Sequence, residues 1–269
     1  MSFQPSPYQQ KILDFVSHSS GDATVNAVAG SGKSTTLKMI ADAWVASNNS
    51  PQSLLVVAFS KDIQSSLEKK WGREFEGCIR TLHSKGLELL REHWKQETGG
   101  SKPPRRWIFS GKTEVIGQDL GWFPKKGEKL GTAKLPKEIK KSDIKKLYDL
   151  LRVNLLKPNT ESLLSLAEEG HHEYFQEKDL EVISKCLSEI QEESIARWKD
   201  CIDFTDMIYL PWVFQLEPSN YPSLFLCDEA QDLSPAQLAL ALRLAGDSRK
   251  VFVGDPNQSI FGFAGADTE

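Results

Sequence analysis

The chain has 269 residues, of which 39% are hydrophobic and 26% are charged, and its formal net charge is −4. This composition is typical of a globular protein, and no apolar run approaches the length that a membrane-spanning helix needs. Residues 1–5 lack the basic and apolar regions of an export signal, so we expect a cytoplasmic protein, nucleoid-associated in a bacterium or nuclear in a eukaryote. The four cysteines lie far apart without a CxxC pair, which argues against a disulfide framework or a zinc site.

Charge is unevenly distributed along the chain. Residues 102–157 contain 15 Lys and Arg against 6 Asp and Glu, whereas residues 161–206 contain 4 against 13. A basic block followed by an acidic one suggests one face that binds phosphates and another that meets solvent or a partner. Two solvated faces of unrelated helices would give the same counts, so charge alone leaves both interpretations open.

Strands and helices alternate in both end regions of the sequence. The predicted strands are short and apolar, and helical patterns follow the first two of them at 33–47 and 63–71; the strands are 22–29, 54–59, 224–227 and 251–253. Such strands separated by helices predict a parallel sheet covered on both faces, with ligands bound beyond the carboxyl ends of its strands. The segment between about 87 and 198 breaks this rhythm with helical patterns, and it predicts a mostly helical subdomain inserted in the α/β fold.

The turn after the first strand, Ala27-Val-Ala-Gly-Ser-Gly-Lys-Ser34, matches a P-loop except that Ala27 replaces the usual first glycine. Glycines let successive backbone N–H groups point at phosphate oxygens, and the helix that follows offers its positive N-terminus. Lys33 is placed to reach the β- and γ-phosphates of ATP, and the Ser34 hydroxyl to bind Mg²⁺. The candidate nucleotide-binding residues of this loop are Ala29, Gly30, Ser31, Gly32, Lys33, Ser34 and Thr35.

Two further strands end in polar residues that suit hydrolysis of ATP. Asp228 follows the strand at 224–227 and is a candidate ligand of Mg²⁺, while its neighbour Glu229 is a candidate general base for the attacking water. Gln258 follows the strand at 251–253, and its amide can both donate to a γ-phosphate and accept from water. The candidate catalytic residues are therefore Lys33, Asp228, Glu229 and Gln258.

These elements together resemble the UvrD/Rep/PcrA-like helicases of superfamily 1. The segments that carry the resemblance are 27–34 (motif I), 58–61 (motif Ia), Thr81-Leu-His-Ser84, Asp203-Phe-Thr-Asp-Met-Ile208, Asp228-Glu-Ala-Gln-Asp232 (motif II) and 253–263 (motif III). Upstream, Pro7-Tyr-Gln-Gln10 resembles the Q motif, whose glutamine reads the adenine edge, and Gln10 fits that role best by its spacing to the apolar residues that follow.

The resemblance implies a RecA-like core, named 1A in this family, with a helical insertion named 1B. We expect domain 1A to comprise residues 1–88 and 200–269, and domain 1B to comprise residues 89–199. The family further implies 3′-to-5′ movement on single-stranded DNA, coupled to strand separation at junctions with duplex. By resemblance, the DNA-contacting residues are Phe59, Ser60, Lys61, His83, Phe261 and Phe263.

Several of these residues would fit a purely structural role equally well. Phe59, at the end of an apolar strand, fits core packing equally well, and His83 fits a hydrogen-bonded structural role. In 1B, residues 102–107 and the lysines of 125–146 are the best candidates for contacts with duplex or single strands. Adjacent His171 and His172 have no metal-ligand spacing to other candidates.

Within this sequence, no motif of a second RecA-like domain follows motif III at 253–263, although in the family that domain supplies arginines for catalysis. We therefore expect this chain alone to hydrolyse ATP weakly and to need such a domain in cis or in trans. A motor within a helicase–nuclease and a non-catalytic or split module that only binds nucleotide or DNA stay open as alternatives. A small-molecule kinase is disfavoured, because the Asp-Glu pair and Gln258 suit hydrolysis rather than transfer to a metabolite.

Overall fold

The computed structural model describes residues 4–19, 21–28, 30–125, 127, 133–168 and 177–255. Within these ranges the chain forms two compact units, here called unit 1 (residues up to 85, and 217–255) and unit 2 (residues 86–216). Unit 2 thus begins three residues before, and ends 17 residues after, the predicted insertion at 89–199. Throughout the described ranges, every helix is too short or too polar to traverse a lipid bilayer.

Unit 1 is built on a five-stranded sheet. Its strands are β1 (Ala23–Asn26), β2 (Leu54–Ala58), β3 (Ile79–Thr81), β4 (Leu224–Cys227) and β5 (Arg249–Gly254). The helices of unit 1 are α1 (Pro7–His18), α2 (Lys33–Ala46), α3 (Lys61–Trp71) and α10 (Pro235–Ala245), and α4 (Leu82–Thr98) begins in unit 1 and continues into unit 2. Short 3₁₀ helices occupy Pro51–Ser53, Arg73–Phe75 and Ala230–Asp232.

All neighbouring strands are parallel, in the order β1-β5-β4-β2-β3. This confirms the predicted α/β class and its RecA-like parallel sheet. Strands β2 and β4 lie inside the sheet and are buried along their whole length, whereas the edge strand β1 alternates between partly buried and exposed residues. The order also makes β1, β5 and β4 consecutive neighbours, so the segments that follow these three strands emerge side by side.

Local signals explain where two helices of unit 1 begin. Ser6 and Ser234 each cap a helix by accepting a hydrogen bond from the backbone N–H of a glutamine three residues later, and that glutamine's side chain returns the bond to the serine N–H. Each helix also has proline at its first position, where the missing N–H costs nothing. Both helix starts are therefore encoded within four residues.

Unit 2 is mostly helical. Besides most of α4, it contains α5 (Lys112–Asp119), α6 (Lys141–Val153), α7 (Thr160–Leu166), α8 (Leu180–Ala196) and α9 (Asp206–Val213), with 3₁₀ turns at Glu177–Asp179 and Arg197–Lys199. One apolar cluster joins α5 to α8 around Leu147, Leu151 and Ile183, and a second joins α4 to α9 around Leu90, Trp107 and Ile202. Unit 2 therefore has cores of its own.

Candidate nucleotide site

The carboxyl ends of β1, β4 and β5 carry the candidate catalytic segments. The P-loop follows β1, Asp228 and Glu229 follow β4, and Asp255 follows β5. Because these strands are parallel neighbours, all three segments leave the sheet at one edge. Gln258 lies outside the described residues, as do Ala29, Phe261, Phe263, His171 and His172.

The P-loop backbone has the conformation that its glycines permit. Gly30 has a φ of 73° and Gly32 a φ of 85°. Both values lie in the left-handed region, which residues with a Cβ atom rarely adopt. Gly32 is the N-cap of the 14-residue helix α2 and provides no side-chain cap, so the first N–H groups of α2 have no capping partner from it. Such a helix start binds anions through its free N–H groups and the helix dipole.

Lys33 contacts the Asp-Glu pair directly. Its ammonium donates a hydrogen bond of 2.7 Å to Glu229 Oε2, and the two side chains are 11% and 27% exposed. Glu229 itself has a left-handed φ of 50°, in the turn between β4 and the 3₁₀ helix that follows. This contact joins the phosphate-binding loop and the candidate general base in one site.

Asp228 is a buried carboxylate beside this ion pair. It is 2% exposed and accepts a hydrogen bond of 3.0 Å from the Glu229 N–H. Burial and, secondarily, the charge of Glu229 raise the pKa of Asp228 to about 6. Within the described ranges Asp228 has no ion-pair partner, so a cation bound next to it would offset the cost of burying its charge.

These residues fit a magnesium ion. Mg²⁺ is commonly held by one or two protein ligands together with water and substrate phosphates. Asp228 offers a buried carboxylate, and Ser34, in the first turn of α2, offers a half-buried hydroxyl. No cluster of three or more His, Cys, Asp or Glu suited to a metal occurs in the described part of the chain, and a site of this type does not require one.

Gln231 ties the Asp-Glu pair to β5, a role that the sequence patterns did not reveal. Its Nε2 donates to Glu229 Oε2 at 3.0 Å and to Asp232 Oδ2 at 3.2 Å, and its Oε1 accepts from the Asp255 N–H at 2.9 Å. A side chain on Gly254 would collide with this amide, because a Cβ there would lie 2.5 Å from Oε1. Gln231 thus fixes the Glu229 carboxylate relative to the end of β5.

A cavity of about 260 Å³ lies beside the P-loop. Gln9 lines it, is 8% exposed, and donates a hydrogen bond of 3.0 Å from Nε2 to Thr36 Oγ1 of α2. Gln10 does not line it; its side chain is exposed and donates to Asp14 at 2.8 Å. The structure therefore brings Gln9, and not the predicted Gln10, to the P-loop.

Two sequence signals could have led to this cavity. Gln9 is the last residue of the capping box that starts at Ser6, three residues earlier, and this box fixes its side chain on the inner side of α1. Tyr8, which sequence reasoning also left unassigned, lines the same cavity with a ring that is 79% exposed. An aromatic ring and a buried amide at one cavity suit a planar heterocyclic base.

The predicted DNA-contacting residues of unit 1 lie near strand ends, and two of them make local structural contacts. Ser60 caps α3 by accepting from the Ile63 N–H at 3.2 Å, and Lys61 donates to Gln64 Oε1 at 3.1 Å. Phe59 is half-buried after β2. Burial lowers the pKa of His83 to about 4, so its imidazole is neutral at physiological pH.

Phe204 of unit 2 is a further candidate that was not singled out from the sequence. Its ring is 61% exposed, although it follows Asp203 and precedes Asp206 by two residues, and both aspartates are buried. Asp203 accepts two hydrogen bonds of 2.9 Å from the Arg152 guanidinium, and Asp206 accepts one of 2.7 Å from each of Arg152 and Lys112. The turn that presents Phe204 is thus anchored on both sides.

Comparison with known proteins assigns this arrangement to a family. A search of curated proteins found no match. The model of the UvrD/REP helicase N-terminal domain family matches residues 8–269, which is nearly the whole chain. That span includes the P-loop, the Asp-Glu pair and both compact units. The chain therefore belongs to the UvrD/REP helicase N-terminal domain family. It is the motor half of a helicase, the half that uses nucleotide.

Proposed function

We propose that this chain is the ATP-binding motor half of a superfamily 1 DNA helicase or translocase that moves 3′ to 5′ on single-stranded DNA. The observation that carries the proposal is the Lys33–Glu229 contact, which places the P-loop lysine and the candidate general base at one site. A purely structural glycine-rich turn would have no reason to place its lysine against Glu229, which lies 196 residues away in sequence.

In this proposal the phosphates of ATP are held by the P-loop N–H groups and by Lys33. Ser31 and Thr35 flank this phosphate-binding segment in the sequence. Ser34 and Asp228 hold Mg²⁺, which when bound neutralises charge on the phosphates. Glu229 orients and deprotonates the attacking water, and Gln231 keeps that carboxylate in place. Gln258 contacts the γ-phosphate, as the resemblance implies.

We assign recognition of adenine to Gln9, because its amide lines the cavity beside the P-loop. Tyr8 provides an exposed ring at that cavity for the face of the base. The cavity is large enough for a heterocyclic base but is lined by residues of only one unit. Single-stranded DNA is assigned to Phe59, His83, Phe261 and Phe263, as the resemblance implies. Phe204 is added because its exposed ring can stack on a base.

A second candidate function is a nucleotide-binding module that becomes an ATPase only with a second RecA-like domain. The observation that favours it is the lining of the cavity, which includes no arginine among the described residues. An arginine that stabilises transition-state charge contributes about 10³ to 10⁵ in rate to phosphoryl transfer. Both candidates share the nucleotide site and differ in turnover by the isolated chain.

The proposal is tested by separating nucleotide binding from hydrolysis. Lys33→Ala should abolish binding of a fluorescent ATP analogue, because it removes the phosphate-binding charge. Glu229→Gln should retain binding and lower the ATPase rate by about a hundredfold or more, as expected for loss of a general base. Lys38→Ala, on the same helix but in an exposed pair with Asp42, is the matched control and should change neither.

The rates are measured with and without single-stranded DNA, and with and without a separately supplied second RecA-like domain. Stimulation by DNA in the isolated chain favours the motor half as an autonomous ATPase. Activity that appears only with the second domain favours the binding module. Nucleotide affinity that survives Lys33→Ala would contradict both.

A further inference from the structure

Gln9 and Thr36 meet where the first two helices of unit 1 contact each other. Gln9 lies near the start of α1 and Thr36 near the start of α2, and the two residues are 8% and 5% exposed. Gln9 Nε2 donates a hydrogen bond of 3.0 Å to Thr36 Oγ1, and both residues line the cavity beside the P-loop. Thr36, which was not singled out from the sequence, is therefore part of a buried polar link at the wall of the nucleotide cavity.

The Thr36 hydroxyl also bonds the P-loop. Its Oγ1 donates to the Gly32 carbonyl oxygen at 3.1 Å, and the Thr36 backbone N–H donates to the same oxygen at 2.8 Å. A threonine in a helix often bonds the carbonyl four residues earlier, so that bond alone would indicate no function. Thr36 differs because its hydroxyl also accepts a bond from a second helix.

These hydrogen bonds run in one direction from Ser6 to Gly32. The Ser6 backbone N–H, which can only donate, meets Gln9 Oε1 at 2.9 Å. The Gly32 carbonyl oxygen, which can only accept, takes the Thr36 hydroxyl proton, so Thr36 Oγ1 offers only a lone pair to Gln9. The amide must therefore present Oε1 to Ser6 and Nε2 to Thr36. The order of its donor and acceptor is fixed from both ends.

The Gln9 amide keeps hydrogen-bonding capacity for a ligand. Nε2 carries two N–H groups and Oε1 has two lone pairs, and the bonds to Thr36 and Ser6 use one of each. Adenine presents a donor and an acceptor side by side, which complement the remaining pair, whereas guanine presents two acceptors on the same edge. A base whose position is set by its phosphates meets the amide in one orientation. A fixed amide order therefore favours one purine over the other.

We propose that Thr36 is a specificity-determining residue, which positions the Gln9 amide to read adenine rather than guanine. The proposal rests on the proposed function, in which Gln9 reads the base of ATP. Without the Thr36 hydroxyl, Nε2 would lose its acceptor and the amide would be held at one end only. The P-loop would keep its conformation, because the Thr36 backbone N–H still bonds the Gly32 carbonyl oxygen.

The test compares variants of the full chain that differ in this hydroxyl. Thr36→Val replaces the hydroxyl by a methyl group, whereas Thr36→Ser keeps it. Displacement of a fluorescent ATP analogue gives the affinities of ATP, GTP and inorganic tripolyphosphate in the presence of Mg²⁺. Ser47→Ala is the matched control, because the exposed Ser47 hydroxyl makes the same kind of bond, of 2.9 Å to the Ala43 carbonyl oxygen, at the other end of α2.

We expect Thr36→Val to lower the preference for ATP over GTP by about threefold to tenfold, as for the loss of one hydrogen bond. Binding of tripolyphosphate should stay unchanged, which also shows that unit 1 is folded. Thr36→Ser and Ser47→Ala should keep the preference of the unmodified chain. In a Gln9→Leu background, Thr36→Val should lower the preference no further, because Thr36 acts through that amide.

Several outcomes would overturn the proposal. Equal weakening of ATP, GTP and tripolyphosphate in Thr36→Val would mean that Thr36 only shapes the P-loop. An unchanged preference in Thr36→Val, or the same loss in Thr36→Ser, would mean that the hydroxyl does not position Gln9. If Thr36→Val does not fold, Thr36→Ala and Thr36→Ser form a second pair that differs only in the hydroxyl, and equal preferences in these two variants would overturn the proposal as well.

Failure of this inference is distinguishable from failure of the proposed function. If Gln9→Leu lowers the preference for ATP and Thr36→Val does not, the role of Thr36 alone is wrong. If Gln9→Leu also leaves the preference unchanged, the assignment of adenine recognition to Gln9 is wrong too. If neither ATP nor tripolyphosphate binds the unmodified chain, the proposed nucleotide site itself is wrong.

Discussion

The ion pair between Lys33 and Glu229 neutralises two partly buried charges of the candidate site. A γ-phosphate that entered the P-loop would compete with Glu229 for the lysine, because the ammonium would then meet a second anion. Glu229 would keep its hydrogen bond from Gln231, which also holds the Asp255 N–H. Nucleotide binding is therefore expected to release the candidate base from Lys33 without releasing it from the sheet.

The first prediction concerns the choice between two adjacent glutamines. Gln9→Leu should weaken binding of ATP by about tenfold and reduce the preference for ATP over GTP. The reason is that, among the described residues, Gln9 has the only buried side-chain amide that lines the cavity. Gln10→Leu is the matched control, since its amide is exposed and donates to Asp14 of the same helix. Fluorescent analogues of both nucleotides give the affinities. If Gln10→Leu has the larger effect, the assignment to Gln9 is wrong.

The second prediction concerns pH and His83. Because burial depresses the pKa of His83 from 6.5 to about 4, the unfolded chain binds more protons than the folded one between these values. The folded state should therefore lose stability as pH falls from 6.5 towards 4, by about 2 kcal/mol at pH 5 from this group alone.

His83→Asn should remove that contribution. Urea unfolding at pH 7.5 and pH 5 should show a smaller drop in the free energy of unfolding for the variant than for the unmodified chain. His18→Asn is the control, because His18 is exposed on α1. An identical pH dependence in the unmodified chain and the His83 variant would contradict the burial argument.

Among the elements of unit 2, α6 and the start of α9 are joined by a buried ionic network. Arg152, in α6, is 1% exposed, and it binds Asp203 and Asp206 at the N-terminal side of α9. Although burial alone would raise it, the Arg152 guanidinium holds the pKa of Asp203 below its usual range. The network fixes the turn of Phe204, so its loss should affect both stability and that turn.

The third prediction follows from the cost of leaving a buried charge unpaired. Arg152→Met should lower the free energy of unfolding by about 3–5 kcal/mol, because Asp203 and Asp206 lose a partner that water cannot easily replace. Arg152→Met combined with Asp203→Asn should be less unstable than Arg152→Met alone. Arg197→Met, which breaks the ion pairs of a 30% exposed side chain with Asp119 and Glu193, should cost about 0–1 kcal/mol. Urea unfolding of all three variants gives these free energies. Equal losses of stability in Arg152→Met and Arg197→Met would refute the argument that burial makes the Arg152 network costly to break.

Particular residues of the two units show which features of the fold and of the candidate site could be predicted from the sequence. The P-loop and the Asp-Glu pair follow apolar strands directly, so a local pattern locates them and the parallel sheet brings them together. Gln231 could not be assigned, because its role depends on Asp255, which follows the neighbouring strand β5. Arg152 was counted with the phosphate-binding charges, because its partner Asp203 lies 51 residues away and leaves no local signal.

At the scale of the whole molecule, unit 1 and unit 2 have separate apolar cores. The core of unit 1 surrounds the sheet, with Val56, Leu226 and Val253 at its centre, and the cores of unit 2 lie between helices. Every described residue that lines the nucleotide cavity belongs to unit 1. A nucleotide bound there should therefore stabilise unit 1 more than unit 2.

The last prediction is that nucleotide stabilises unit 1 selectively. A ligand at 100 times its Kd stabilises the state that binds it by about 2.7 kcal/mol. With Mg²⁺ and ADP, hydrogen exchange of the slowest amides in β2 and β4 should slow by roughly the corresponding hundredfold, because these amides exchange when unit 1 unfolds. The slowest amides of α6 and α8 should change much less, since unit 2 has cores of its own and none of its described residues lines the nucleotide cavity. Lys33→Ala should abolish the effect in unit 1. Equal slowing in both units would show that the chain unfolds as one cooperative body, despite its separate cores.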